Sequence, residues 1–312
     1  MTTHTENLHI EQNAPISTWY RIGGRADRLA TPKSQHQLLQ CLDLDPDLKI
    51  LGEGANLLVD DAGIDNLVVS MQTDAFKSIQ IDQAAGLVRV GAGVALPRLI
   101  TQTVNAGLAG LEGLAGFPAT IGGALIMNAG GQFGTISDHL LQIQALDRAG
   151  RVHELNKADI DFSYRHSGLN HLIICSAIFQ LDPADPADLK AKLAQCMAYK
   201  TNSQPMNQKS AGCAFKNPTL TQPIDSIGQP GDRVSAGLLI DRAGCKAMAV
   251  GGGEGGATVS NLHANFITTT PNAKAADVIT LMNQVRSKVH DTFGVTLENE
   301  IVIWSRETEA SQ

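Results

Sequence analysis

Apolar positions along the chain fall into strand-length runs more often than into helical stripes. Residues 25–32 carry alternating apolar positions that stop at Pro32, which predicts a half-buried strand ended by a proline. Residues 34–44 space their apolar side chains by three and four, giving an amphipathic helix with Ser34 as its N-cap. The short apolar runs 49–52 and 57–59 flank a glycine turn, and 65–71 form another strand. A second set of strands is predicted at 76–82, 86–93, 142–152 and 171–181. Between them, residues 97–107 read as a helix that ends near Asn105 and Gly107. Proline-marked residues 182–205 predict a linker leading into a helix that starts at Asp185 or Pro186. A long helical stripe at 275–294 precedes the strand pattern of 295–304, which would hold Glu300. Strands precede and follow helices in mixed order, so the expected class is α+β rather than a uniform βαβ series.

The chain has 312 residues, 43% hydrophobic and 18% charged. That is enough for a buried core, and for about two domains at ~100–200 residues each. Thirty glycines without a collagen period point to turns and backbone-to-ligand contacts. A formal charge of −7 with no polycationic tract argues against a nucleic-acid partner. The polar opening has no apolar signal region, and no run reaches the ~18 apolar residues of a membrane span. The expectation is a cytoplasmic protein with no membrane partner and with a flexible arm over residues 1–15. The five cysteines are widely spaced with no C-x-x-C pair, and the nine histidines show no H-E-x-x-H spacing. Reduced thiols and no metal are expected.

Five segments carry candidate chemistry. Gly52-Glu53-Gly54-Ala55-Asn56-Leu57 follows an apolar run and reads either as an anion nest or as a tight turn. Leu57 replaces the third glycine of G-x-G-x-x-G, and no P-loop lysine follows. Gly107, Gly110, Gly113 and Gly116 recur every three residues and lead through Pro118, Ala119, Thr120, Gly122 and Gly123 into a small-residue helix over 124–130. A Thr- and Gly-rich first turn with exposed backbone suits an anionic or flat heteroaromatic ligand, and close packing of small residues is the alternative. Tyr164-Arg165 precedes an apolar strand, where a guanidinium can clamp a carboxylate or phosphate or simply form a surface ion pair. Cys213 lies among small residues between Lys209 and Lys216, and reads as a reactive thiol or a buried inert one. Strand alternation would put Glu298 and Glu300 on one face, where a carboxylate can act as an acid or simply face solvent. The run 251–256 fits G-x-G-x-x-G at Gly251, Gly253 and Gly256, but strand-like residues follow it. It is therefore read as a mobile surface loop and not as a dinucleotide fingerprint.

Taken in order, these segments resemble the UDP-N-acetylenolpyruvoylglucosamine reductase (MurB) family over about residues 15–304. The resemblance implies a two-lobed FAD-binding domain of the vanillyl-alcohol-oxidase (PCMH) type over 16–183, with lobes at 16–72 and 73–183. A linker and helix over 184–205, a smaller α+β substrate-binding domain over 206–304 and a tail over 305–312 would follow. It also implies FAD as cofactor, NADPH and UDP-N-acetylenolpyruvoylglucosamine as substrates, a monomer, and a role in peptidoglycan precursor synthesis. In the family reaction, hydride passes from reduced flavin N5 to the enolpyruvyl methylene. A serine of a Ser-Ala-Gly-Ser motif then protonates the neighbouring carbon.

Carried across by position, that proton donor is Cys213, and Arg165 and Glu300 match the pair that stabilises the enolate. A thiol, with a reference pKa of ~8.5, is a far stronger acid than an alcohol. FAD contacts fall on residues 52–57, with Ala55 in place of the usual serine, and on Gly116, Pro118, Ala119, Thr120, Gly122, Gly123, Asn128, Ala129 and Gly130. Gln132 and Phe133 stand where the family often has a tyrosine. Tyr164, Asn217, Lys246 and His263 match positions that contact the nucleotide sugar or its phosphates. The strand at 171–181 follows at once, so the chain resembles the shorter subgroup, without the insertion that carries a covering tyrosine. Two rivals are an oxidase of the same flavin fold and a non-catalytic nucleotide-sugar-binding relative.

Overall fold

The alternating segment forms the strand Arg25–Ala30, with Ala26 and Ala30 fully buried. The computed structural model describes residues 7–252 and 255–306. They divide into two units that are not consecutive in the chain. The first comprises residues 7–14, 26–53 and 65–199, and the second residues 15–25, 54–64, 200–252 and 255–306. The consecutive division expected from sequence differs at two places, since residues 15–25 and 54–64 belong with the C-terminal part. Among the described residues no helix is long and apolar enough to cross a membrane.

The first unit holds two large sheets beside two short two-stranded ones. A four-stranded sheet runs in the order Ile10–Pro15, Arg25–Ala30, Ile64–Ser70, Lys49–Leu51, the last two paired in parallel with Lys49 beside Val68. The expected arm therefore contains a paired strand at Ile10–Pro15, because its backbone extends the sheet edge; residues 1–6 lie outside the described residues. A five-stranded antiparallel sheet runs Val152–Asn156, Leu140–Leu146, Ile173–Gln180, Leu87–Gly91, Ile79–Asp82. Helix α1 (Gln35–Leu44) starts as expected, with Ser34 Oγ accepting from Gln37 N at 3.2 Å. Helix α2 (Leu96–Asn105) buries Leu99, Ile100 and Val104, and Gly107 follows its end at φ +67°. Helix α3 (Ile121–Ile126) starts earlier than the expected small-residue helix and is only six residues long. Helix α4 (Pro186–Ser203) starts at the expected proline, with Asp185 Oδ1 accepting from Ala187 N at 2.7 Å. One core joins Leu38, Leu67, Val88, Leu99, Leu125, Ile143 and Phe179.

Glu112 is 2% exposed yet ionic. Its Oε1 accepts from Lys192 Nζ at 2.6 Å and its Oε2 from Gly110 N at 2.7 Å. Burial pushes the carboxyl up, but the lysine and the backbone donors together outweigh it and hold Glu112 below its ordinary value of 4.5. A depressed carboxylate stabilises the fold above that ordinary value, and the contribution disappears as pH falls through the lowered one. Lys192→Met, which leaves the carboxylate buried without its cation, is expected to cost about 1–3 kcal/mol at pH 7. Denaturant titrations should show that difference shrinking as the pH is taken below 4.5.

In the second unit, helix α5 (Ala236–Arg242) is capped by Ser235 Oγ, which accepts from Leu238 N at 3.2 Å. Helix α6 (Ala275–Phe293) buries Val278, Leu281, Met282, Val285 and Val289, a helical stripe, and ends at Gly294 in the left-handed region. Asp61 caps its start, accepting from Ala275 N at 2.9 Å and Ala276 N at 3.0 Å. An antiparallel sheet of Ala249–Gly252, Gly255–Val259 and Ile267–Thr269 includes most of the run read as a loop. Gly251 pairs with Gly256 and Gly252 with Gly255, so these glycines are hairpin strands; Gly253 and Glu254 lie outside the described residues. Leu57–Val59 pairs in parallel with Val302–Trp304. The two runs flanking the glycine turn thus belong to different sheets. The core here joins Tyr20, Leu58, Phe215, Leu239, Leu281, Leu297 and Ile301.

Candidate active site

In the first unit, the segment around Thr120 is stitched to residues 92–96. Leu96 N donates to Ala119 O at 2.8 Å, Ile121 N to Val94 O at 2.9 Å and Gly122 N to Ala92 O at 2.9 Å. Gly123 N donates to Thr120 Oγ1 at 3.2 Å. The first turn of α3 therefore does not leave its backbone donors exposed for a ligand, as the sequence led one to expect; they are used in packing. Gly52 approaches this segment so closely that a Cβ there would stand 2.7 Å from Thr120 Oγ1. Its carbonyl accepts from Gln72 Nε2 at 3.0 Å. Gly116, Pro118, Ala119 and Gly123 remain open to solvent to different degrees.

Beyond α3 the chain turns through Asn128, at φ +42°, into the buried Ala129 and Gly130. Tyr164 and Arg165 occupy a two-residue turn, closed by Ser163 N to His166 O at 3.0 Å and His166 N to Ser163 O at 3.2 Å. Arg165 is at φ +54° and its guanidinium stands 5.3 Å from the Tyr164 ring centroid. A side chain held in the left-handed region costs ~1–3 kcal/mol and persists where its surroundings fix it. Three bonds tie the turn to the exit of α3. Asn128 Nδ2 donates to Ser163 O at 2.9 Å, Arg165 Nη1 to Gly130 O at 2.8 Å and Ser167 Oγ to Ile126 O at 2.8 Å. Asn128 Oδ1 is buried and has no partner among the described residues, so a ligand bringing a donor would satisfy it.

In the second unit, Gly54 is at φ +64°, and a Cβ there would collide with Ser17 O, so no other residue fits without a shift. Gly54 O accepts from Trp19 N at 3.1 Å. Ala55 is half-buried, and Asn56 turns inward, its Nδ2 donating to Glu300 O at 3.0 Å. Val302 N closes the same connection on Asn56 O at 2.9 Å.

Glu300 lies before the strand Val302–Trp304 and not within one. Its segment is carried by an isolated bridge of Asn299 to Phe215, with Glu300 N donating to Ala214 O at 2.9 Å and Lys216 N to Glu298 O at 2.9 Å. Cys213 bridges Phe266 on its other side, and Ala214 N donates to Asn265 O at 2.7 Å. Cys213 and Glu300 therefore sit on adjoining extended segments, both half-buried, while Glu298 faces solvent. All five cysteines are thiols; burial pushes Cys41 and Cys175 up to about 11. Lys216, one of the two lysines flanking Cys213, has its Nζ 3.6 Å from Glu298 Oε2.

Asn217, Lys246 and His263 gather around α5. Asn217 Oδ1 accepts from Ala236 N at 2.9 Å, and a Cβ on Gly237 would touch the His263 ring at 3.1 Å. Lys246 pairs with Asp241 at 2.7 Å in the turn after the helix. Burial first, and then the Lys246 charge, hold His263 below its ordinary value, so the ring is neutral near pH 7. Sequence reasoning missed Ser167, Asn265 and Arg286. Arg286 braces the Glu300 segment through Leu297 O at 3.1 Å and Asn299 Oδ1 at 2.6 Å. Ser167 lies two residues beyond Arg165 and Asn265 two beyond His263, whereas Arg286 sits in α6 with no local signal.

Residues 204–304 match the family described as UDP-N-acetylenolpyruvoylglucosamine reductase, C-terminal domain, and residues 26–156 match the FAD binding domain family. A UDP-N-acetylenolpyruvoylglucosamine reductase of Bradyrhizobium sp. (strain ORS 278) is 37% identical over 298 residues, covering 94% of this chain and 91% of that protein. One from Caulobacter sp. (strain K31) is 39% identical, covering 94% of each. The crystal structure of the Thermus caldophilus reductase superposes with a TM-score of 0.78 at 33% identity, over 96% of this chain and 99% of the other.

Proposed function

The chain belongs to the UDP-N-acetylenolpyruvoylglucosamine reductase family, and from that premise we propose that it reduces the enolpyruvyl ether of its nucleotide sugar to the lactyl ether, giving UDP-N-acetylmuramate. The observation that carries this reading is a likeness that runs through nearly the whole of both chains, including both matched domains.

Bound FAD, once reduced by NADPH, would supply the hydride. The residues that would hold FAD are 52–57, with Gly116, Pro118, Ala119, Thr120, Gly122, Gly123, Asn128, Ala129 and Gly130. Several of them shape the surface rather than donate. Gly122 N is already bonded to Ala92 O, and Gly123 N to Thr120 Oγ1. Asn128 Oδ1 is the buried acceptor that fits a group bringing an N–H.

Cys213 Sγ–H gives its proton to the carbon next to the carboxylate of the substrate, so the thiol must enter the reaction protonated. Arg165 meets the developing negative charge with a charged fork of donors, and Glu300 in its acid form adds a hydrogen bond without repulsion. Tyr164, Asn217, Lys246 and His263 bind the nucleotide sugar, Lys246 with charge and His263 as a neutral ring. Five thiols and no disulfide fit the reducing cytoplasm.

The test is steady-state turnover. Purified protein with bound FAD should consume NADPH in proportion to added UDP-N-acetylenolpyruvoylglucosamine and release UDP-N-acetylmuramate, identified by mass. NADPH consumption that ignores the nucleotide sugar and goes to dioxygen would favour an oxidase instead.

A further inference from the structure

The Cys213 segment is held from one side by a single buried side chain. Asn265 is 2% exposed, and its carboxamide makes a reciprocal pair of bonds with the backbone of Phe215. Phe215 N donates to Asn265 Oδ1 at 3.0 Å and Asn265 Nδ2 donates to Phe215 O at 2.8 Å. Asn265 O meanwhile accepts from Ala214 N at 2.7 Å, and Phe266 bridges Cys213. Three bonds from one residue thus hold the three successive peptide units that follow Cys213. The carboxamide matches the peptide group in shape and in donor and acceptor order, a fit that no other side chain of that size reproduces.

Gly212, just before the thiol, is at φ +77° with open space where a Cβ would stand. The opposite edge of the segment is the one that bonds Glu300 N through Ala214 O. Asn265 therefore stands where a shift of the Phe215 peptide would move the acid and the Glu300 segment together.

We propose that Asn265 is the positioning residue of the Cys213 thiol, locking through Phe215 the direction in which Sγ is presented. The proposal rests on the reading of Cys213 as the proton donor. Asn265→Asp keeps the size but sets a carboxylate oxygen against Phe215 O, which turns that bond into a repulsive contact and leaves only the one from Phe215 N. A misplacement of about 1 Å in a reacting group costs ~10²-fold in rate. The expected result is a fall in kcat of ~10–10²-fold, with KM for the nucleotide sugar within about threefold and flavin content unchanged.

Two further readouts separate positioning from a general loss of structure. The first is the rate at which iodoacetamide alkylates Cys213, followed on its peptide by mass spectrometry; it should change in Asn265→Asp while the protein keeps its near-ultraviolet circular dichroism. The second is the double variant. Once Cys213→Ala has removed the acid, Asn265→Asp should lower kcat no further, the non-additivity of residues that act as one. Should Asn265→Asp not fold, Asn265→Ser, which retains one donor and one acceptor, takes its place in both measurements. A folded variant with unchanged kcat and unchanged alkylation overturns the proposal. So does a fall in kcat that persists undiminished in the Cys213→Ala background, and so does failure of both variants to fold, which would make the carboxamide a requirement of the fold alone. If Cys213→Ala is itself fully active, the donor reading fails, and the alkylation rate still reports whether Asn265 orients the thiol.

Discussion

Cys213→Ala is expected to lower kcat by ~10²–10⁴-fold, the range that a positioned general acid contributes. The side chain is half-buried, next to a glycine with open space, so its removal leaves no cavity of consequence in the core. The loss should therefore appear in turnover and not in thermal stability. Cys213→Ser restores a donor at the same position, although a weaker one, and should recover part of that loss. Single-turnover measurements check this directly: flavin reduction by NADPH keeps its wild-type rate in both variants, and only the step that needs the nucleotide sugar slows. A Cys213→Ala enzyme with undiminished turnover, beside a faster Cys213→Ser enzyme, would remove Cys213 from the reaction.

Arg165→Lys is expected to lower kcat by ~10²–10³-fold, the cost of removing one preorganised donor from a developing anion. Lysine keeps the charge but replaces a rigid planar fork with a single ammonium. The local backbone should survive the change. The turn is closed by Ser163 and His166 and pinned by Asn128 Nδ2 on Ser163 O, neither of which needs the guanidinium. Lysine at position 165 accepts the same left-handed backbone that arginine does. The expected signature is a lower kcat with KM for NADPH unchanged. Full activity in Arg165→Lys would assign the residue to backbone bracing through Gly130 O instead.

Much of the fold was legible because local rules and tertiary packing agree there. Ser34 caps α1, Gly107 follows α2 and a proline opens α4, each decided within a few residues. Four strands of the five-stranded sheet were likewise visible in their apolar runs, whereas the single strand expected over 142–152 breaks after Leu146 and returns as Val152–Asn156. What failed was decided by partners far along the chain. Ile10–Pro15 is a strand because Arg25–Ala30 lies beside it, and the polar sequence carries no sign of that edge. Glu300 lies outside a regular strand because its neighbour is the short segment at Phe215, which allows an isolated bridge only. Residues 54–64 sit with the C-terminal unit through the pairing of Leu57 with Val302, a contact that apolar patterning cannot rank.

Legibility of the candidate site follows the same division. Motif order picked out Tyr164, Arg165, Cys213, Asn217, Lys246, His263 and Glu300. The structure adds how some of them are held: Arg165 on a turn tied to α3, and Cys213 beside the segment of Glu300. Helix α3 was misread because its first-turn donors looked exposed, when they bond to Ala92 and Val94. Asn265 and Arg286 escaped because their role lies in bonds to backbone atoms of other segments, and a residue type alone does not reveal such bonds.

The central claim is that this chain passes reducing equivalents from NADPH to an enolpyruvyl nucleotide sugar. The most direct measurement is made without oxygen, in two steps, following the visible flavin band. NADPH is added first, in an amount equal to the flavin, and UDP-N-acetylenolpyruvoylglucosamine second. Bleaching is expected on the first addition and rapid return of the band on the second, with one UDP-N-acetylmuramate formed per flavin reoxidised. Bleaching that persists after the nucleotide sugar is added, and yields only to dioxygen, would contradict the claim.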